Sequence, residues 1–246
     1  MGDTMPERGG SDLCGQRPVH ILAFDASLSR CSVALRGDGR LLAHACRDGG
    51  RGQAAALPAM AADALAEAQL RAIDLDAVAA VVGPGGFTGL RAALALAHGI
   101  ALGAGLPVIA VTTGEALAAA VPSETRAGRV VWAVVDSRRG RVALERFAPK
   151  AGGRSAASGP PEVFALDALP PACGRVAVAG DAAEAVVERL AARGADALLT
   201  AVRLPDAADA AAVAALRLSG RLPTLAARPL YAEPPAVRRP PVGAEP

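Results

Sequence analysis

The chain has 246 residues, 52% of them hydrophobic, which is enough to fill the core of one long domain or of two lobes. Lys and Arg number 26 against 24 Asp and Glu, so the net charge of +2 excludes a whole-molecule field that would draw nucleic acid or an anionic membrane. Four Phe, one Trp and one Tyr are too few for the stacking platform of a self-sufficient RNA reader, and the four cysteines, Cys14, Cys31, Cys46 and Cys173, form no CxxC pair and are read as reduced, in a cytoplasmic protein.

Residues 1–18 mix charge, Gly and Pro without the apolar segment of a signal peptide or anchor, and are read as a disordered extension. Apolar runs at 20–24, 31–36 and 40–46, with a turn at Asp38-Gly39, predict a three-stranded meander. Leu57, Met60, Ala64, Leu65 and Ala68 recur at helical spacing within 53–70, a first helix. Ala77 to Val82 is a buried strand. A second helix is predicted over 88–104, a strand over 107–111 and a third helix from Gly114 to Ala120. The window from Ala92 to Val111 is the most hydrophobic, but it is rich in Ala and Gly and broken by Pro107, so it reads as buried helix and strand and not as a membrane span. This order predicts a mixed sheet with helices on its faces.

The pattern then begins again. VWAVVDSRRGRVALERF (131–147) repeats ILAFDASLSRCSVALR (21–36): an apolar strand ending in Asp, a Ser just after it, and a Val-Ala-Leu strand. RVAVAGDAAEAVVERL (175–190) reads as strand, Gly-Asp turn and helix. Duplicated lobes follow from this self-similarity, with 122–129 as the crossover and 150–161 as a mobile loop.

Between the buried strand and the second helix stands VGPGGFTGLR (82–91). It fails the Walker pattern, since no Gly-Lys-Ser/Thr follows and the only lysine is Lys150, and it fails GxGxxG because Thr88 stands where the third glycine belongs. What remains is a tight turn in which Gly83, Gly85 and Gly86 can take positive φ and Thr88 can cap the helix; its N–H groups either serve the turn alone or hold an anion. Asp25 and Asp136, each at a strand end, sit where a phosphate-handling enzyme would hold Mg²⁺ across a cleft, or simply cap loops. His20, His44 and His98 form no HxxxH or HExxH pair. No catalytic residue, metal ligand or cofactor is predicted.

In the second helix, Leu90, Leu94, Ala97 and Ala101 line one face, while Ala92, Ala95, Leu96, Gly99, Leu102 and Gly103 make most of the remainder small or apolar. A helix apolar nearly all round is covered on more than one side, so a partner surface is expected.

ILAFDAS with CSVAL, VVGPGGFTGLRAALALAHGIALGAGLPVIAVTT, VVDSRRGRV and the tail RPLY together resemble the TsaB (YeaZ-like) family, the dimerisation subunit of the bacterial machinery for threonylcarbamoyladenosine in tRNA. The resemblance implies an α/β fold of two ribonuclease-H-like lobes of the actin, Hsp70 and sugar-kinase superfamily, with mixed sheets flanked by helices. It divides the chain into an N-terminal lobe at 19–121, a C-terminal lobe at 122–231 and a flexible tail at 232–246. It implies a noncatalytic scaffold for threonylcarbamoyl transfer to the N6 of the adenosine that follows the anticodon. The expected partners are a TsaD-like catalytic subunit and a TsaE-like ATPase, with a homodimer as another pairing, tRNA met only through the complex, and no membrane. The implied interface comprises Leu57, Met60, Ala61, Ala64, Arg91, Ala92, Ala95 and Gly99 on the helices at 53–70 and 88–104. Gly86 departs from the usual Ser, His98 from the usual Lys or Gln, and the tail continues past Tyr231 as Ala-Glu-Pro. An ATP-binding phosphotransferase of the sugar-kinase type is the competing reading; a metallopeptidase fails for want of ligands.

Overall fold

Short β-branched and aliphatic runs separated by glycine turns pair here as two sheets in a computed structural model that describes residues 18–49, 52–149 and 155–232. The predicted extension at 1–18, apart from Pro18, and the tail beyond Ala232 lie outside the described residues. In the first sheet β1 (His20–Asp25), β2 (Arg30–Gly37) and β3 (Arg40–Asp48) form the expected antiparallel meander, turned by Asp38 and Gly39 at φ of 49° and 75°. The crossover helices α1 (Leu57–Glu67) and α2 (Phe87–Ala104) bring β4 (Ala77–Gly83) and β5 (Val108–Thr112) in parallel to β1, giving the order β3-β2-β1-β4-β5. Strand alternation explains why the runs are apolar throughout: Leu22, Phe24, Val78, Ala80 and Val82 pack under α1 and α2, while Ile21, Ala23, Ala77, Ala79 and Val81 face the opposite layer.

Several helix boundaries differ from the sequence reading, and the first helix ends at Glu67, short of the expected Leu70. Residues 53–56 form a 3-10 turn, and the α-helix starts only at Leu57, where Pro58 in the first turn needs no intrahelical donor. Thr88 does not cap α2. The helix begins at Phe87 with Gly86 as its N-cap and no side-chain cap, leaving Thr88 exposed.

After α3 (Thr113–Ala120) and the short α4 (Ser123–Arg126), the second sheet repeats the first. The β6 (Val130–Arg138) and β7 (Arg141–Pro149) hairpin is joined by β8 (Ser155–Ala157), which falls within the predicted mobile loop, by β9 (Glu162–Ala165), and in parallel by β10 (Val176–Ala179) and β11 (Ala197–Leu199). The order β8-β7-β6-β10-β11 matches that of the five strands of the first sheet, with β9 on β7 as an addition, so the duplication seen in the sequence is structural. Helix α5 (Ala183–Ala191) covers Trp132, Val134, Val176 and Val178 with Ala183, Val186 and Leu190.

The sequence did not reveal the last helix, α6 (Ala207–Leu218), or where it goes. Chain order assigns it to the 122–231 lobe, yet Ala207, Ala210, Ala211, Val213 and Ala214 pack on Ile21, Ala23, Ala34, Ala79 and Val81 of the first sheet. Small side chains on both surfaces permit that approach, and Ser32 Oγ accepts the Ala207 N–H at 2.8 Å. Helix α3 is the joint between lobes: Ala116 contacts the first sheet's layer, while Leu117 and Ala118 contact Val131, Ala133 and Phe147 of the second.

Candidate functional site

The glycines of the β4–α2 turn exist to bring two loops together. A side chain at Gly85 would overlap the Ser27 carbonyl, one at Gly89 the Ala26 carbonyl, and one at Gly83, at φ of 119°, the Leu230 carbonyl. The Gly86 N–H, a candidate anion donor, is instead given to Ser27 O at 2.6 Å. From the other side the Thr113 hydroxyl donates to Pro84 O at 2.7 Å. The turn is therefore closed onto the loop that follows β1.

Asp25 and Asp136 are not brought together. Asp25 is fully buried; its Oδ1 accepts the Ser27 N–H at 2.9 Å, and its Oδ2 has no hydrogen-bond partner among the described residues. Burial pushes its carboxyl up to about 6, with Ser27 and Arg30 opposing the rise and Asp206 adding to it. The Ser27 hydroxyl lies beside it without a hydrogen bond of normal geometry. Asp136 is exposed, accepts the Arg138 N–H at 2.7 Å and donates its own N–H to Asp181. On its strand it alternates with Trp132 and Val134, toward α5, whereas Asp25 alternates with Ala23 and Ile21, toward α6. One consequence is measurable. A carboxyl whose folded pKa lies above its unfolded value loses stability as pH rises from about 4 to 6, so Asp25→Asn is expected to raise the Tm by several degrees at pH 7.5 and leave it unchanged at pH 4, by differential scanning calorimetry. Equal shifts at both pH values would refute the buried-charge account.

The predicted interface residues divide. Leu57, Ala61 and Ala64 are buried in the core of the first lobe, because α1 lays that stripe on β2, and Met60 and Ala92 are half-buried. They hold α1 and α2 in place and leave no free side chain for a partner at the three buried positions. Arg91, Ala95 and Gly99 are exposed, as are Gly103 and Leu102, the last 87% accessible. Nothing lies within 4 Å of where a side chain at Gly99 or Gly103 would start. Helix α2 is long and apolar enough by composition to cross a membrane, but Leu90, Ala93, Leu94, Ala97 and Ala101 bury one of its faces on the sheet.

A family model described as TsaD, tRNA N6-adenosine threonylcarbamoyltransferase, matches residues 48–160. The Escherichia coli tRNA threonylcarbamoyladenosine biosynthesis protein TsaB is 39% identical over 126 residues, covering 50% of this chain and 53% of that protein. The Haemophilus influenzae protein of the same name is 37% identical over 122 residues, covering 50% and 51%. The chain thus spans about half the length of the curated relatives it matches. YeaZ from Pseudomonas aeruginosa superposes with a TM-score of 0.73 at 30% identity, over 87% of this chain and 99% of that structure. The chain belongs to the TsaB family.

Two features of this TsaB-family chain lie outside the sequence-derived site. Residues 225–231 run back along α2: Leu225, Ala227 and Leu230 pack on the first core, His98 Nε2 lies 2.9 Å from Ala227 O, and Leu230 N–H reaches Val82 O at 2.7 Å. Tyr231 ends this strap on Phe87 and Arg91. The other feature is Glu145 on β7, 4% exposed on the face that meets α3. The Thr112 hydroxyl donates to its Oε2 at 2.8 Å; Thr112 also accepts the Glu115 N–H at 2.9 Å, and Glu115 pairs with Arg217 of α6 at 2.5 Å. Burial drives the Glu145 carboxyl up to about 8; Thr112 opposes this, Glu115 adds to it and Arg217 subtracts. The visible signal was a Glu at an inward position of VALERF, between Ala143 and Phe147, where the alternation calls for an apolar residue.

Proposed function

We propose that this chain is a noncatalytic subunit in tRNA threonylcarbamoyladenosine biosynthesis, pairing through α2 with a TsaD-like catalytic subunit. The observation that carries the reading is the outer face of α2, where Ala95, Gly99, Leu102 and Gly103 stand in solvent with an 87% accessible leucine among them. Small residues let a second helix approach closely, and an apolar stripe left in water gains free energy when covered. A TsaE-like ATPase then docks on the pair, and tRNA is met only through the assembled complex in the cytoplasm. The noncatalytic role is supported by the β4–α2 turn, which gives its Gly86 N–H to the protein's own carbonyl.

The test is Ala95→Glu and Gly99→Arg, assayed for folding by thermal melt and for assembly with the cognate TsaD-like subunit by analytical ultracentrifugation. Both side chains enter open solvent, and Arg is a better helix former than Gly by about 0.5–1 kcal/mol, so both variants are expected to fold. Buried against a partner without a counter-ion, either charge costs on the order of several kcal/mol, and association is expected to be lost. Folded variants that assemble with wild-type affinity would remove α2 from the interface. The competing phosphotransferase reading predicts ATP binding by the lone chain; calorimetry that detects it would favour that reading.

A further inference from the structure

Phe87, the first residue of α2, stacks on Tyr231 of the C-terminal strap with ring centroids 6.1 Å apart and planes 23° from parallel. Arg91, one turn along, lays its guanidinium 3.4 Å from the Phe87 centroid and 5.8 Å from that of Tyr231. All three are exposed, Phe87 at 57% and Tyr231 at 42%. Among the described residues no carboxylate pairs with Arg91.

The group continues the outer stripe of α2. Arg91, Ala95, Gly99 and Leu102 follow one another at spacings of four, four and three, so they share one helical face, and the stack forms its end. Aromatic rings and arginine are the side chains in which contact energy concentrates, and here they are already held against one another, so little freedom remains to be lost on binding. The rings take up one side of the guanidinium, and its N–H donors bond none of the described residues, so they remain to take a carboxylate through two parallel hydrogen bonds. A phosphate backbone fits less well, because Arg91 is the only Lys or Arg on α2 and its neighbours along the stripe are small and apolar.

We propose that Phe87, Arg91 and Tyr231 form the anchor of the partner contact and receive a carboxylate of the TsaD-like subunit. This rests on the pairing proposed above and adds the strap at 225–231 to the interface, so that the partner reads a surface built from two segments far apart in the chain.

The experiment is isothermal titration of the chain with the cognate TsaD-like subunit, beside thermal melts of each variant. Arg91→Glu is expected to weaken binding by about 100-fold, and Arg91→Lys and Tyr231→Ala by about tenfold each. Melting temperatures should stay within about 2 °C of wild type, since the side chains are exposed. A Glu→Arg or Asp→Arg change in the partner that restores binding to Arg91→Glu would identify the carboxylate. If Arg91→Glu does not fold, Arg91→Lys decides, and wild-type affinity in it overturns the anchor. Arg91→Glu within twofold of wild type overturns it as well. So does unchanged TsaD affinity with loss of tRNA by the assembled complex, which would assign Arg91 to nucleic acid. A wild-type chain that fails to bind the subunit removes the pairing itself, an outcome distinct from binding that survives Arg91→Glu.

Discussion

Gly89→Ala is expected to lower the Tm by roughly 6–12 °C, a loss of about 3 kcal/mol for a chain of this size. In an exposed helix the same change would help, because Ala exceeds Gly in helix propensity by about 0.5–1 kcal/mol. At position 89 the added methyl overlaps the Ala26 carbonyl oxygen, and that oxygen is backbone, so it cannot rotate aside. The loop that carries it is pinned on both sides, by Ser27 N–H on Asp25 and by Gly86 N–H on Ser27 O. Helix α2 must therefore lift from the β1 loop, carrying Phe87 and Arg91 with it, and on the proposed pairing binding of a TsaD-like subunit should fall together with stability. Gly103→Ala is the control. It lies on the same helix with nothing within 4 Å, and should be neutral or stabilising. Calorimetric melts of the two variants decide the matter, and a Gly89→Ala protein as stable as Gly103→Ala would end the close-approach account of the GPGGFTG segment.

The pH dependence of stability should carry the mark of Glu145. Its carboxyl is held near 8 in the folded chain against 4.5 for the free group, so the native state keeps a proton that the unfolded chain releases. The stabilisation is complete below about pH 4.5 and is lost progressively as pH rises through 8, to a total on the order of 5 kcal/mol. Glu145→Gln removes the titration while keeping an oxygen to accept from Thr112. The variant is expected to match wild type near pH 5 and to exceed it by a few kcal/mol at pH 8.5, measured by urea unfolding at both pH values. A difference of the same size at both would mean that ionisation of Glu145 does not govern the joint between the lobes. Because Glu145 belongs to the second sheet and Thr112 to the first, the effect should appear as loosening of α3, detectable by hydrogen exchange.

Strand periodicity, turn chemistry and the repeat were properties of the sequence itself. The meander through Asp38-Gly39, the Val-Ala-Leu hairpins and the glycine-bounded Ala77 to Val82 run are local patterns, set within a few residues by φ preferences and side-chain alternation, and they specified two mixed sheets of like topology. The GPGGFTGLR segment likewise carried the family. What the sequence could not determine was which small residue faces what. In a chain this rich in alanine, Ala61 and Ala64 are indistinguishable by composition from Ala95, yet the first two are buried on the inner face of α1 and the last is exposed on α2. Hydrophobic contrast around each helix is too weak to orient it, so the sheet it lands on decides. Three further features are products of long-range packing: the return of α6 to the first sheet, 175 residues from Ser32 in the chain, the strap that brings Tyr231 to Phe87, and the burial of Glu145 against Thr112. Each joins segments with no local signal for one another. Only the folded chain, by excluding water from both at once, turns them into an interface, a clamp and a shifted carboxyl.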